Sequence, residues 1–487
     1  MPRFTKSQGL TPSEQYLARL CEKSFLSLWS YPNLYYNKNK FCPELCDLLV
    51  VFGEHVIIFS DKSCQFKPTN FDDVDELLIN WKRWYKKSII ESVNDLYGAE
   101  RWIRTNPHRI FIDNKCQQLL PIQLPSSDKM KVHRVAIALN IKQPCIDFFG
   151  NGSGSLPIRN CSFDDALNTP FTIGVFNQPD KIVHVFDDVT LDLVLKELDT
   201  VPDFVAYLNK KELLITQGKF GTATGEEDLL AHYLKNMNEQ EEHDFCVPDH
   251  INYAAFFEGI WTGYVGNPQY KAKKQADEIS YLWDALIESF NKNVIGGTLE
   301  YGNDESIHNH EIGLRALASE NRFERRGLSR SFRDALQKSE GRDRFSRVSI
   351  SPHSSKAYLF LFLQNKYGKT HDEYRRVRSN MLQIYCQIIK NQNRHLKEIV
   401  GIATEPYSNA QGRSEDLVHY SCDFEVTPEF EKETVEIQEK IDALKESRFR
   451  YINYHDQEYP EVALPKRERG GLNRKARRKI KALTKTE

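Results

Sequence analysis

The first residues show the pattern of an amphipathic helix. Small or apolar side chains recur every three or four positions from Leu17 to Leu28, which places one stripe of this helix in a core. Thr11 precedes Pro12, and Glu14 follows three positions after Thr11. This combination is typical of an N-cap, a first helical proline and a capping carboxylate. The sequence therefore predicts a helix that begins at Pro12 and extends to the end of the apolar stripe.

A β-hairpin is predicted next. Two apolar runs, 47–52 and 55–60, flank the dipeptide Gly53–Glu54. Glycine at the first loop position favours a two-residue type II′ turn, because that position needs a positive φ. In this register Phe52 pairs with His55, and each step away from the turn adds one further pair.

Periodicity along the rest of the chain predicts a mixture of helices and strands, so the fold class is α/β in the broad α+β sense. Predicted helices cover 71–104, 190–214, a stretch from 226, 270–292, 323–339, 371–390 and a stretch from 427. Predicted strands cover 109–112, 118–123, 131–139, 171–176, 181–186, 346–351, 357–364 and 398–403.

The length of 487 residues suits three domains of roughly 150 residues each. We place the first, an α/β domain, at 1–150, where a loop of small residues ends it. A middle α/β domain without an assigned role follows at 151–300. A basic α+β domain is expected at 301–463, and a basic, flexible tail at 464–487.

Composition narrows the class of protein. Apolar residues make up 40% of the chain and charged residues 28%, which is typical of a globular protein and excludes wholesale disorder. The longest apolar runs, LLVVF and YLFLFL, are far shorter than the roughly 18 residues needed to cross a bilayer. The N-terminal segment lacks the apolar core of a signal peptide. We therefore expect a cytoplasmic protein without a membrane partner.

The cysteines are scattered along the chain. The sequence has 10 of them and no CxxC pair, so neither zinc-finger spacing nor a disulfide framework is indicated. We expect reduced thiols.

Basic residues are concentrated in the C-terminal half. In the predicted helix at 323–339, Arg326, Arg330 and Arg333 recur at i, i+4 and i+7, which is a stripe suited to a phosphate backbone. A solvated face paired with nearby acids is the alternative. The net charge of −2 also conceals a basic tail, which is common in proteins that meet nucleic acid and also in proteins that do not. Its candidate contact residues are Arg474, Lys475, Arg477 and Arg478.

The hairpin carries the candidate chemistry. In the predicted register Asp47 lies opposite Ser60, and residues opposite each other share one face of a sheet. Lys62 lies two residues beyond Ser60 and therefore on the same face. An acid that opens one strand and a lysine that ends the next are thus expected at the rim of an apolar face. An ordinary hairpin whose polar ends face water is the alternative.

These residues resemble the core of the PD-(D/E)xK, restriction-endonuclease-like nuclease superfamily. That core has a helix and then a hairpin, with Asp at the start of its first strand and an acid-x-Lys tripeptide at the end of its second. The resemblance implies Asp47 as the metal-binding aspartate, Ser60-Asp61-Lys62 as the tripeptide and Glu22 as the acid on the helix. It covers residues 1–65 well and extends loosely to 140.

Two departures from the family pattern matter. Ser60 replaces the usual second acid, and Glu44, three residues before Asp47, is the candidate replacement. Asp61 is expected on the opposite face of the sheet unless a bulge turns it.

The resemblance implies a nuclease that hydrolyses phosphodiester bonds with Mg²⁺ or Mn²⁺, and DNA is the expected substrate. Asp47 with Glu22 or Glu44 would hold the metal, while Lys62 would stabilise the charge of the transition state. By analogy alone, large proteins of this kind suggest bacterial defence against phage or plasmids, with a homo-oligomer or a protein partner. The alternative is a catalytically degenerate nuclease fold that binds nucleic acid or a protein partner through its basic C-terminal half.

Overall fold

The computed structural model describes residues 3–38, 41–178, 181–299, 305–350, 354–366, 368–407, 414–445, 450 and 456–462. Within these residues helices pack on several sheets, so the α+β class predicted from periodicity is confirmed. The tail candidates Arg474, Lys475, Arg477 and Arg478 lie outside the described residues.

The helices are α1 Pro12–Phe25, α2 Val74–Tyr85, α3 Glu91–Thr105, α4 Lys142–Phe149, α5 Phe163–Ala166, α6 Thr190–Glu197, α7 Val201–Thr216, α8 Glu226–Lys235, α9 Ile260–Gly266, α10 Pro268–Asp277, α11 Tyr281–Gly296, α12 Ile307–Ala318, α13 Arg322–Lys338, α14 His371–Gln392 and α15 Pro428–Ile441. A π-helical turn, Lys86–Ile90, joins α2 to α3, and a 3₁₀ turn, Glu278–Ser280, joins α10 to α11.

The strands are β1 Ser30–Tyr36, β2 Glu44–Phe52, β3 His55–Lys62, β4 Ile110–Phe111, β5 Lys131–Ala138, β6 Ile158–Arg159, β7 Phe176–Gln178, β8 Lys181–Ile182, β9 His184–Asp187, β10 Phe220–Ala223, β11 Ala254–Phe256, β12 Arg344–Ile350, β13 Lys356–Leu363, β14 Glu398–Thr404 and β15 Asp416–Ser421.

The largest sheet lies in the N-terminal part and has the strand order β4-β1-β2-β3-β5-β9. Strands β1, β2 and β3 form an antiparallel meander, whereas β5 and β9 run parallel to β3. A parallel neighbour requires a long crossover connection, which α2 and α3 supply between β3 and β5.

The hairpin register is the one predicted from the turn. Phe52 pairs with His55, and Leu48 pairs with Phe59. Gly53 has φ +59°, the positive value that the first position of the turn requires. The register therefore places Asp47 at the start of β2 beside the end of β3.

Helices cover both faces of this sheet. On one face α1 and α7 pack through rings of Phe25, Phe59 and Phe204, whose centroids lie 5.1 to 6.4 Å apart. On the other face α3 places Leu96 and Ala99 near Ile58 of β3. Side chains of a strand alternate between faces, so Ile58 and Phe59 serve different layers of the core.

The first sheet continues beyond residue 150. Strand β9 pairs with β5, and one hydrophobic core extends from Phe4 to Ile402. The boundary placed at 150 thus falls inside the packing of this sheet. A second core surrounds the sheet β12-β13-β14-β15 and α14, within the region expected at 301–463.

Several predicted elements differ from the observed ones. The strand predicted at 171–176 is absent, since β7 begins only at Phe176, and the run 181–186 is divided into β8 and β9. The run 118–123 forms an isolated bridge at Leu119 and a bend instead of a strand, because Pro121 cannot donate to a ladder. The single helix predicted at 270–292 is divided into α10 and α11 by the 3₁₀ turn.

Cys42 and Cys116 form a disulfide with a Cα–Cα distance of 6.0 Å. The expectation of reduced thiols is therefore wrong for this pair, since the fold brings together two cysteines 74 residues apart that sequence spacing does not connect. The other eight cysteines are free.

Among the helices formed by the described residues, none combines the length and the apolar character that a membrane crossing would require.

Candidate active site

A cavity of about 580 Å³ opens where the hairpin meets α3. Its charged lining includes Glu44 and Asp47 from β2, Lys62 from β3 and Asp95 from α3, and we call it the carboxylate cavity. Ser60 lines the same wall. The structure thus brings Asp47, Ser60 and Lys62 together on one face, as the hairpin register predicts.

Asp47 is the most deeply placed acid of the cavity. Burial raises the pKa of Asp47 to about 7, although the backbone N–H of Asp61 donates to its Oδ2 at 2.6 Å and opposes the rise. The charges of Glu44 and Glu14 raise this pKa further, and the charge of Lys62 lowers it. A carboxyl group with a pKa near neutrality lacks enough positive charge around it.

Lys62 is held by an acid that the sequence did not single out. Its Nζ lies 3.1 Å from Oδ2 of Asp95, with the two side chains 30% and 57% exposed. Burial alone would lower the pKa of Lys62, but the hydrogen bond and charge of Asp95, together with Asp47, raise it. Lys62 therefore stays protonated, and its ammonium group pairs with Asp95 on the α3 wall of the cavity.

Asp95 lies on α3, five residues after the end of the π-helical turn Lys86–Ile90 that joins α2 to α3. Such turns frequently occur at functional sites. Spacing in the sequence gives no sign of this pairing, since 33 positions separate Lys62 from Asp95.

Glu44 is tied to the start of α1 through an amide. Nδ2 of Asn33 donates to Oε1 of Glu44 at 2.9 Å and to Oε2 of Glu14 at 2.7 Å. Burial and the charge of Glu14 raise the pKa of Glu44, whereas the hydrogen bond from Asn33 lowers it. Asn33 is fully buried and has φ +46°, a conformation that asparagine tolerates better than most residues.

Asp61 faces away from the cavity, as the alternation along β3 predicts. Its carboxyl group lies on the α1 side, where burial raises its pKa to about 6 and Ser13 opposes the rise. Its backbone N–H still contributes to the site through the bond to Asp47.

Glu22 does not belong to the cavity, which corrects the role implied for it. It is exposed on α1, eight positions after Glu14 and therefore about 12 Å farther along the helix axis. Its charge acts on Lys6, whose pKa burial lowers to about 7. Glu14 is the α1 acid whose charge acts on Asp47. Its position in the capping box was visible in the sequence but was explained fully by helix capping.

The arginine stripe predicted on α13 is not a surface stripe. Arg326 is fully buried, with Nη1 3.2 Å from Oδ1 of Asp277 and Nη2 2.6 Å from the carbonyl oxygen of Gln457. Arg330 pairs with Asp456, and Arg333 is exposed. A phosphate backbone cannot reach Arg326, because acids from distant parts of the chain already neutralise it.

The outer wall of the carboxylate cavity carries aromatic and basic groups. The rings of Tyr36 and Trp102 have centroids 4.4 Å apart, and both residues line the cavity. Lys38 and Arg101 line it as well and are exposed. Flat rings next to cations are the groups that contact the bases and phosphates of single-stranded nucleic acid.

No family model, curated protein or solved structure matches the chain significantly. The resemblance to PD-(D/E)xK nucleases therefore stays a prediction from the sequence.

Proposed function

We propose that this protein is a metal-dependent nuclease and that the carboxylate cavity is its active site. The observation that carries the proposal is the convergence of Glu44, Asp47 and Lys62 at the ends of two paired strands. A helix before the hairpin, and a parallel strand after the crossover, agree with this assignment.

Asp47 and Glu44 are the groups that would hold Mg²⁺ or Mn²⁺. Both cations prefer oxygen ligands, and the raised pKa values of the two carboxyl groups mean that negative charge is poorly compensated there. When bound, the ion would supply positive charge next to the scissile phosphate and a water of lowered pKa.

Lys62 would stabilise the negative charge that develops on the phosphate. A fixed ammonium group aimed at the transition state acts most strongly where water is partly excluded. Asp95 would serve as the positioning residue for Lys62, since their salt bridge restricts the lysine side chain.

The expected substrate is a nucleic acid. Tyr36 and Trp102 would stack on bases that leave the duplex, while Lys38 and Arg101 would contact phosphates. DNA is the first choice because of the resemblance to restriction-endonuclease-like enzymes. A role in bacterial defence stays an analogy with that family.

The test is cleavage of plasmid DNA, linear DNA and RNA with Mg²⁺ or Mn²⁺ and with EDTA. We expect metal-dependent cutting that falls about 1,000-fold in Asp47→Asn and at least about 100-fold in Lys62→Met. Both substitutions nearly preserve side-chain volume, so the fold can be checked by circular dichroism alongside the activity. Glu22→Gln is the matched control, because it removes an acid of α1 outside the cavity and should cut like the unmodified chain.

Equal cutting by the Asp47 and control variants would place the activity elsewhere. If none of the substrates is cut but nucleic acid binds, the degenerate binding protein becomes the better description. Its binding should then fall steeply with salt and persist in Asp47→Asn.

A further inference from the structure

A second group of metal-ligating side chains lies on the opposite face of the first sheet. Ser60 lies beside Ala136 in the parallel β3–β5 pair, so the two residues share the face of the carboxylate cavity. His133 precedes Ala136 by three positions and therefore points to the α7 side. There it meets His184 from β9 and Glu212 from α7, and we call these three residues the histidine cluster.

The ligand atoms of the histidine cluster already converge. Oε1 of Glu212 lies 3.1 Å from Nδ1 of His133 and 3.0 Å from Nε2 of His184, and the three ligand atoms lie within 4.8 Å of one another. Ligands that bind one ion at about 2.0–2.2 Å lie at such separations from each other. A cation would therefore need only a small adjustment of these side chains.

A second histidine contacts the ring nitrogen of His133 that faces away from Glu212. Nε2 of His133 lies 3.1 Å from Nδ1 of His55, the first residue of β3. In the metal-free protein Nδ1 of His133 donates to Oε1 of Glu212; an ion at Nδ1 would displace that proton, and Nε2–H would then donate to His55. A metal-bound histidine typically donates its second N–H to such a partner.

The histidine cluster is enclosed by the fold, since the imidazoles of His133 and His184 are both buried. Nδ1 of His184 is buried and has no hydrogen-bond partner among the described residues.

We propose that His133, His184 and Glu212 form a binding site for a divalent transition-metal ion, of which Zn²⁺ is the best match. Two imidazoles and one carboxylate form a donor set that Mg²⁺ does not favour and that zinc sites commonly use. The side chain of Glu212 is 27% exposed, so a water molecule can complete the tetrahedron from that side. The bound ion would join α7 to two neighbouring strands of the sheet.

This inference does not depend on the nuclease proposal. The carboxylate cavity offers oxygen ligands on one face of the sheet, and the histidine cluster offers nitrogen ligands on the other face. Loss of Zn²⁺ binding and loss of nuclease activity can therefore be assigned to different variants.

The test measures Zn²⁺ bound to the full chain, prepared without a polyhistidine tag and stripped with a chelator. Equilibrium dialysis should give one tightly bound ion per chain that an excess of Mg²⁺ does not displace. We expect Glu212→Gln and His184→Gln to weaken the affinity by more than about 100-fold, and His55→Gln by about 10-fold, since it removes the partner of a ligand. His243→Gln is the matched control: His243 also pairs with a glutamate, Glu458, at 3.0 Å, but lies outside the histidine cluster.

A second measurement covers the case in which a variant fails to fold. Co²⁺ bound to the unmodified chain should show the intense visible absorption of a four-coordinate site, and Zn²⁺ should abolish it. Asp47→Asn should leave both readings unchanged. Absence of these bands would overturn the proposal. So would a Zn²⁺ affinity of the unmodified chain that is no higher than that of Glu212→Gln and His184→Gln.

Discussion

The carboxylate cavity and helix α13 both concentrate charge, yet they arrange it in opposite ways. In α13, Arg322, Arg325 and Arg326 are buried and each faces an aspartate within 3.2 Å. In the cavity, burial raises the pKa values of both Glu44 and Asp47, the charge of Glu44 raises that of Asp47 further, and the two acids share Lys62 as a nearby cation.

The difference separates structural charges from charges available to a ligand. A buried arginine that already has its carboxylates gains little from a phosphate group. Two partly buried carboxyl groups that repel each other gain from any cation that enters between them. The density of arginines along the chain suggested a ligand-binding site on α13. The pairing of charges in the folded protein instead favours the carboxylate cavity as the ligand site, because its acids lack enough cations.

Removal of a paired arginine should strongly destabilise the protein. Arg326→Met should lower the free energy of unfolding by about 3 kcal/mol, because Asp277 and two backbone carbonyl groups lose a buried donor. Urea unfolding followed by circular dichroism measures this change. Arg333→Met, on an exposed side chain of the same helix, should change it by less than about 0.5 kcal/mol. Equal effects of the two substitutions would mean that the arginines of α13 are not structural.

In the carboxylate cavity, by contrast, removal of a charge should stabilise the protein. Burial and like charge raise the pKa of Asp47 from 3.8 to about 7 in the folded protein, so the folded state binds a proton that the unfolded state has released. The contribution of Asp47 to stability is therefore complete below pH 4 and is lost as the pH rises toward 7. Asp47→Asn should make the protein more stable than the unmodified chain by about 3 kcal/mol at pH 6, which lies roughly two units above the pKa of an unfolded aspartate, given about 1.4 kcal/mol for each tenfold change in proton affinity.

Thermal unfolding of both proteins between pH 4 and 8 measures this gain. It should shrink to about 0.5 kcal/mol at pH 4, where Asp47 is protonated in the folded chain and about half protonated in the unfolded chain. A constant difference across this range would show that ionisation of Asp47 is not its cause.

Binding of Mg²⁺ in the carboxylate cavity should have a smaller effect on stability. At pH 8, Mg²⁺ at tenfold above its dissociation constant should stabilise the unmodified chain by about 1.4 kcal/mol, since it binds only the folded state. The same addition should leave Asp47→Asn unchanged, and Arg333→Met should respond like the unmodified chain. A Tm shift of equal size in all three proteins would indicate a general salt effect.

The parts of the site that lie on the hairpin were predictable, and the parts on helices were not. Gly53 and the alternation of two strands were enough to place Asp47, Ser60 and Lys62 on one face and Asp61 on the other. Asp95 depends on how the crossover helix passes over the sheet, which no local pattern specifies. The choice between Glu14 and Glu22 depends on where α1 begins relative to the hairpin.

Longer separations explain the remaining differences. The arginines of α13 follow a helical stripe, but their acids lie in α10, in α11 and beyond residue 455, so pairing could not be read from the spacing. The disulfide and the histidine cluster likewise join segments that are far apart in the chain.

The parallel pairing of β3 with β5 has a consequence for synthesis. One edge of β3 stays uncovered until residues 63–130 have followed it and β5 is available, which takes several seconds at about 5–20 residues per second on the ribosome. That edge contains Val56, Ile57, Ile58 and Phe59, an apolar strand of the kind that pairs readily with other chains. The nascent chain is thus vulnerable to aggregation in this interval, and a chain truncated before Lys131 would expose the same edge permanently.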